Sequence, residues 1–180
     1  AMFQKAAAVA VAGHAAVSGF SVARSALARC PPAPAGGPRA PSGGGTQREE
    51  KVRRVVAGIY SGAGLDRSAC HEEVVFEDPA ALCCGLEEVA EAFRALRACS
   101  PEHIEEPLLT DAALLCAAGE APAGVVCLQL RQRYFGRLEV RSAVLVDTDE
   151  SGRITRFEER WNMAPLVTGA LFQWTRRLNG

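Results

Sequence analysis

An acidic pair, Glu77 and Asp78, stands directly before Pro79, at the end of the apolar run of residues 74–76. A carboxylate at the mouth of a pocket can act as a general base. An Asp before Pro can equally accept backbone N–H hydrogen bonds in a turn and end a strand. The residues alone leave both interpretations of Asp78 open.

A second carboxylate with chemical potential is Glu159, which shares one face of a strand with Phe157 and Trp161. Between aromatic rings, a carboxyl group can have a raised pKa and shuttle protons. The alternative is an ordinary cross-strand salt bridge, for which the candidate partners are Arg131, Arg133 and Arg141. The Trp161 ring is predicted to cap the core.

Two polar residues, Gln132 and Tyr134, interrupt an otherwise apolar strand face. They are either polar groups of a pocket or residues at the strand end, where the face reaches water. His71 is a weaker candidate base, since a His on the approach to a strand is expected to be exposed or capping.

The elements that must position these side chains follow from hydrophobic periodicity. Thr46 and Glu49 form a capping box that opens a helix, which ends at Gly62. A second amphipathic helix follows Gly85, after a strand over residues 73–77. The remaining strands are expected over residues 101–118, 123–135, 138–147 and 153–161, and a short helix over 165–178.

This order predicts an α+β domain over residues 46–180, with a cone-shaped, curved antiparallel sheet packed on about three helices and enclosing a pocket. The segment HEEVVFEDPAALCCGLEEVAEAFRAL, together with GRITRFEERWN near the end, resembles the nuclear transport factor two-like, or SnoaL-like, superfamily. The resemblance spans roughly residues 47–165 and includes ketosteroid isomerases and polyketide cyclases. It implies an apolar ligand pocket, for which we assign six lining residues: Phe76, Phe93, Leu130, Gln132, Phe157 and Trp161.

The same resemblance implies roles for single residues. Asp78 matches the general base of the isomerases. The inward strand positions, rather than the resemblance, indicate Tyr134 or Glu159 as an assisting group. The oxyanion donors of those enzymes, a Tyr and a protonated Asp, match positions near Val55 and Val144, so both donors are missing. Isomerisation by that particular mechanism is therefore not expected.

The first 45 residues carry four of the chain's 20 basic residues and none of its 21 acidic ones. Their Ala, Ser and Arg content and the Pro/Gly-rich stretch after Cys30 predict an organellar transit peptide with a linker. A secretory signal, a membrane anchor or a plain disordered tail are the alternatives. The apolar stretch is shorter than the ~20 residues that a membrane span needs.

Charge and motifs exclude several other functions. The acidic remainder has no basic cluster for nucleic acid. The seven cysteines show no disulfide framework or zinc-site spacing, so we expect thiols, with a redox-sensing Cys83–Cys84 pair as the alternative. No cofactor motif and no metal site are predicted.

Three functions remain. The first is a cofactor-independent isomerase, cyclase or lyase acting on a small apolar molecule, with Asp78 as base. The second is a non-catalytic ligand-binding or dimerisation module of the same fold. The third is a protein-interaction module with a large apolar outer sheet face. The resemblance also implies a homodimer that pairs through the sheet.

Overall fold

The structure is a computed structural model, which describes residues 45–110, 125–162 and 176. The predicted targeting segment and linker, and almost all of the predicted tail helix, lie outside the described residues. None of the described helices is long and apolar enough to cross a membrane.

Two α-helices and six strands make up the described part of the chain. In chain order they are α1 (Gly45–Tyr60), β1 (Cys70–Glu77), β2 (Leu82–Cys84), α2 (Leu86–Leu96), β3 (Glu102–Thr110), β4 (Val126–Tyr134), β5 (Leu138–Thr148) and β6 (Ile154–Trp161). Short 3₁₀ turns precede β1 and follow α2. The α+β class and the strand and helix order predicted from periodicity are confirmed.

The strands form one open sheet in the order β2-β1-β6-β5-β4-β3. The sheet is mixed rather than antiparallel throughout, because β1 and β6 run parallel. These are the first long strand and the last strand of the domain, so no hairpin constrains their relative direction. The other neighbouring strands are antiparallel.

The short strand β2 was not predicted. It is set by a tight turn in which the Asp78 N–H donates to the Ala81 carbonyl (3.0 Å), so that β2 folds back on β1. Three residues are too few for an alternating pattern to be recognised.

The core lies between one face of the sheet and both helices; we call this the inner face. Helix α1 contributes Val52, Val56 and Ile59, which are at most 1% exposed, and α2 contributes Val89 and Phe93. Val55 and Val144, the positions matching the missing donors, are buried in the same cluster. Apolar side chains there pack the core and supply no polar group.

The two vicinal cysteines differ in state. Cys83 is a buried thiol, whereas Cys84 is disulfide-bonded. The two therefore do not form a vicinal disulfide with each other. The expectation that the cysteines are thiols holds for Cys70, Cys83, Cys99 and Cys127 and is wrong for Cys84.

Gly85 joins β2 to α2 with φ of +88° and ψ of 154°, a backbone conformation that is essentially restricted to glycine. We expect Gly85→Ala to lower the free energy of unfolding by about 1–3 kcal/mol, measured by denaturant titration. A Cβ there would meet only the Glu72 carbonyl at 3.8 Å, so the cost is conformational.

Gly58→Ala is the matched control. Gly58 lies inside α1, where an added Cβ meets only the Gly64 carbonyl at 3.9 Å. Ala should stabilise that position by about 0.5–1 kcal/mol. Equal effects of the two substitutions would contradict the assignment of strain to Gly85.

Candidate functional site

Strand register brings the two candidate carboxylates together on the inner face. Val144 of β5 is paired with Leu128 on one side and Glu159 on the other. In the parallel pairing of β1 with β6, Glu77 is opposite Glu158. Asp78 follows Glu77, and Glu159 follows Glu158. Asp78 and Glu159 are therefore neighbours.

Glu159 is a buried carboxyl group held by a tyrosine. Its side chain accepts a hydrogen bond from the Tyr60 hydroxyl at 2.6 Å, and the two residues are 4% and 2% exposed. Tyr60 is the last residue of α1, so this contact joins the end of the helix to the last strand of the sheet.

Burial and a neighbouring charge raise the pKa of Glu159 to about 7. Loss of solvation is the larger cause, and the negative charge of Asp78 is the second. The Tyr60 hydrogen bond acts in the opposite direction, as does the nearby Ser142 hydroxyl, although Ser142 Oγ makes no hydrogen bond of normal geometry to the described residues. Glu159 is therefore poised to gain or lose a proton near neutral pH.

A second hydrogen-bonded pair, a hydroxyl with an amide, lies on the same face. The Tyr134 hydroxyl donates to Gln132 Oε1 at 2.5 Å, and Gln132 is fully buried. Burial, and then the charge of Glu159, raise the pKa of Tyr134, and the same two causes raise that of Tyr60. Both phenols are thus neutral hydrogen-bond donors rather than bases.

Asp78 has the geometry of a turn carboxylate. Its Oδ1 accepts the backbone N–H groups of Ala80 (2.7 Å) and Ala81 (2.6 Å). It also acts electrostatically on Glu159 and on both tyrosines. Asp78 therefore combines the two alternatives that the sequence left open. It stabilises the turn, and its negative charge acts on the groups of the site.

The predicted salt bridge of Glu159 is wrong. Arg131 pairs with Glu105 and Glu139, and Arg133 pairs with Glu102 and Glu139, all on the opposite, outer face of the sheet. Odd-numbered residues of β4 point outward, whereas Glu159 points inward, so arginines that seem adjacent by strand order are separated by the sheet.

Sequence reasoning missed Tyr60 as a site residue. The signal that could have identified it is its place on the buried stripe of α1, one turn after Val56. The chain contains only two tyrosines, Tyr60 and Tyr134, and both lie in this cluster.

The residues predicted to line a pocket form a packed aromatic and aliphatic group. The Phe93 ring contacts Phe76, Phe157 and Tyr60, with centroid separations of 4.7, 5.6 and 6.3 Å. Leu130 is buried in the same cluster, and Trp161 is half-buried at the end of β6, opposite Ser142. These apolar side chains pack beside the polar cluster of Tyr60, Glu159, Gln132 and Tyr134.

Within the described ranges, no cluster of His, Cys, Asp and Glu has the arrangement of a metal site. The site has two carboxyl groups, those of Asp78 and Glu159, together with two phenols, one amide and one hydroxyl.

No protein-family model matches this sequence, and no curated protein matches it at a significant level. The chain is similar to several solved structures. An NTF2-like protein of unknown function from Cytophaga hutchinsonii is 13% identical, with a TM-score of 0.48, over 63% of this chain and 88% of that one.

Two further solved structures carry functional descriptions. The epoxide hydrolase/cyclase-like enzyme SalBIII is 18% identical, with a TM-score of 0.49, over 65% of this chain and 92% of its own. A steroid delta-isomerase from Pseudomonas aeruginosa is 18% identical, with a TM-score of 0.45, over 78% and 93%. The NTF2-like description of the first structure names the group that the sequence motifs resemble. Identities of 13–18% and TM-scores below 0.5 support no inference about a reaction.

Two substitutions should move the pKa of Glu159 in opposite directions. Tyr60→Phe removes the hydrogen bond that favours the carboxylate and should raise the pKa above about 7. Asp78→Asn removes a like charge and should lower it. Carboxyl ¹³C NMR titration measures both, and shifts of the same sign would contradict the arrangement described.

The raised pKa also makes stability depend on pH. The folded chain holds the Glu159 proton up to about pH 7, whereas an ordinary Glu loses it near 4.5. The stability that this group contributes is therefore complete below about pH 4.5 and is lost as pH rises through 7. The change amounts to roughly 3 kcal/mol.

Glu159→Gln cannot ionise, so the difference in unfolding free energy between wild type and this variant should change by that amount between pH 4.5 and 8. Glu158→Gln, on the opposite face, serves as the control. A pH-independent difference for Glu159→Gln would show that Glu159 titrates normally.

Proposed function

We propose that this domain binds a small apolar molecule against the inner face and that Glu159 transfers a proton to and from it. The observation that carries this proposal is the Glu159 carboxyl group, buried beside aromatic rings and hydrogen-bonded by the Tyr60 hydroxyl. The reaction class is a cofactor-independent isomerisation, cyclisation or elimination by acid–base catalysis.

A comparison within the chain supports a role for Glu159 beyond stability. Glu77 is equally buried, at 5%, but it is paired with Arg156 and with Arg176, the latter at 2.8 Å. Glu159 has no cationic partner among the described residues. A carboxyl group buried without a counter-charge is costly, and such groups concentrate at functional sites.

The assignment of roles differs from the one that the sequence resemblance implies. Glu159, with its pKa of about 7, is the proton acceptor, and Asp78 tunes it from the neighbouring strand. The Oδ1 atom of Asp78 is already engaged by two turn N–H groups, which makes it a poorer base. In the sequence-based assignment, Asp78 was the base and Glu159 the assistant.

The proton transfer can be written for a ketone ligand. Glu159 takes a proton from the carbon beside the carbonyl group, the C–H electrons shift onto the carbonyl oxygen, and a hydroxyl donor stabilises that oxygen. Return of the proton from Glu159 to the same or another carbon completes the exchange or the isomerisation. No electron acceptor or external reductant is needed.

The alternative is a non-catalytic binding module of the same fold. The observation favouring it is that both tyrosine hydroxyls already donate to protein groups, Glu159 and Gln132, which leaves them less available to a ligand oxygen. A homodimer is compatible with either function and remains a prediction. The outer face of β3–β5 carries the Arg131–Glu139–Arg133 ion pairs, so this part of the sheet is not a large apolar docking surface.

Deuterium exchange into the activated methylene of 2-tetralone, followed by proton NMR in D₂O, tests the proposal. Wild type should accelerate exchange with a rate that rises through about pH 7 as Glu159 deprotonates. Glu159→Gln should slow the enzymatic exchange by about 10²–10⁴-fold. Asp78→Asn should shift the pH midpoint downward rather than abolish exchange.

Glu158→Gln is the matched control, since Glu158 neighbours Glu159 in sequence but pairs with Arg160 on the other face. Exchange that survives Glu159→Gln but not Asp78→Asn would restore Asp78 as the base. Ligand binding without any acceleration in wild type would favour the binding module.

A further inference from the structure

Two buried polar atoms on neighbouring strands have no hydrogen-bond partner in the described part of the chain. One is Gln132 Nε2, a donor, and the other is His103 Nδ1. Gln132 is fully buried, and its other amide atom, Oε1, is taken by Tyr134. Buried polar atoms in native proteins are nearly always satisfied, so each of these requires a partner.

The protonation of the His103 ring follows from its other contact. His103 Nε2 lies 3.1 Å from the Ala57 carbonyl oxygen of α1. A carbonyl oxygen can only accept, so Nε2 carries the hydrogen in this contact. In the neutral ring, Nδ1 is then an acceptor with an unused lone pair.

The two atoms belong to directly paired residues. His103 of β3 is opposite Gln132 of β4 in the antiparallel register, and residues paired in this way have Cβ atoms about 4.5–5.5 Å apart. His103 reaches α1, which packs on the inner face, so both side chains lie on that face. An unused donor and an unused acceptor thus stand side by side without bonding each other.

We propose that this pair is a ligand subsite for a hydroxyl group, which accepts from Gln132 Nε2 and donates to His103 Nδ1. A hydroxyl is the smallest organic group that both accepts and donates through one atom. A single oxygen can bridge two atoms that are each about 2.7–3.2 Å from it. This inference rests on the proposed function and narrows its ligands to apolar molecules that carry an alcohol or phenol.

The subsite is distinct from the Glu159 centre in its chemistry. Glu159 transfers a proton and Asp78 tunes its pKa, whereas Gln132 and the His103 ring satisfy one oxygen and fix the orientation of the ligand. His103 and Gln132 are therefore positioning residues. A site that is built to hydrogen-bond a hydroxyl rejects analogues that lack it, because its own buried groups are then left unpaired.

Three probes separate the two hydrogen bonds. 2-Naphthol can accept and donate, 2-methoxynaphthalene can only accept, and naphthalene can do neither. Wild type should bind them with decreasing affinity in that order, each step about tenfold, measured by fluorescence or calorimetric titration.

Two variants assign the steps to residues. His103→Phe removes both ring nitrogens, and with them the acceptor, so it should bind 2-naphthol and 2-methoxynaphthalene about equally. Gln132→Met removes the amide and should reduce the preference of both oxygen-bearing probes over naphthalene to within about threefold. Gln129→Met, a half-buried position on the outer face of the same strand, should leave the order unchanged.

The outcomes distinguish this inference from the proposed function. Equal binding of the three probes to wild type, with exchange still lost in Glu159→Gln, overturns the hydroxyl subsite alone and indicates that water fills the gap. A preference for 2-naphthol that persists in both variants also overturns it, by placing the hydroxyl elsewhere. Failure of all three probes to bind, without any 2-tetralone exchange, overturns both.

Discussion

The hydrogen bond between Tyr60 and Glu159 is the contact on which the rest of the site depends. It joins the last residue of α1 to the last strand of the sheet, 99 residues later in the chain. A buried carboxyl group with one neutral hydrogen-bond donor is stable only if it is mainly protonated or if the side chains around it are held in place. The packing of Phe93 against Tyr60, Phe76 and Phe157 supplies that fixed surrounding.

The parallel pairing of β1 with β6 adds the second constraint. It places Asp78 beside Glu159 and so puts two carboxyl groups into one enclosed region, where they cannot both ionise without cost. The turn N–H groups of Ala80 and Ala81 stabilise the negative charge on Asp78, which leaves Glu159 as the group that retains its proton to higher pH. Two similar side chains thus acquire different roles from their surroundings.

The two faces of the sheet differ in how their charged and polar side chains are paired. On the outer face, Arg131 and Arg133 meet acidic partners that are substantially exposed, and Glu77 is buried between two arginines. On the inner face, Glu159, Gln132 and His103 are enclosed with only neutral partners or with polar atoms left unpaired among the described residues. This asymmetry separates groups that hold the structure together from groups available to a ligand.

Periodicity determined the local elements: the apolar stripe of α1, the helix after Gly85 and the alternation of β4 to β6 were all predicted, because side-chain direction repeats every 3.6 or 2 residues. It also determined that Gln132, Tyr134 and Glu159 share their strands' inward faces. Only the tertiary structure decided the parallel β1–β6 pairing, the contact of Tyr60 with Glu159 and the position of Arg131 and Arg133 across the sheet from Glu159. Those contacts join residues that are far apart in the chain, and no local pattern records which distant strand or helix end a side chain will meet.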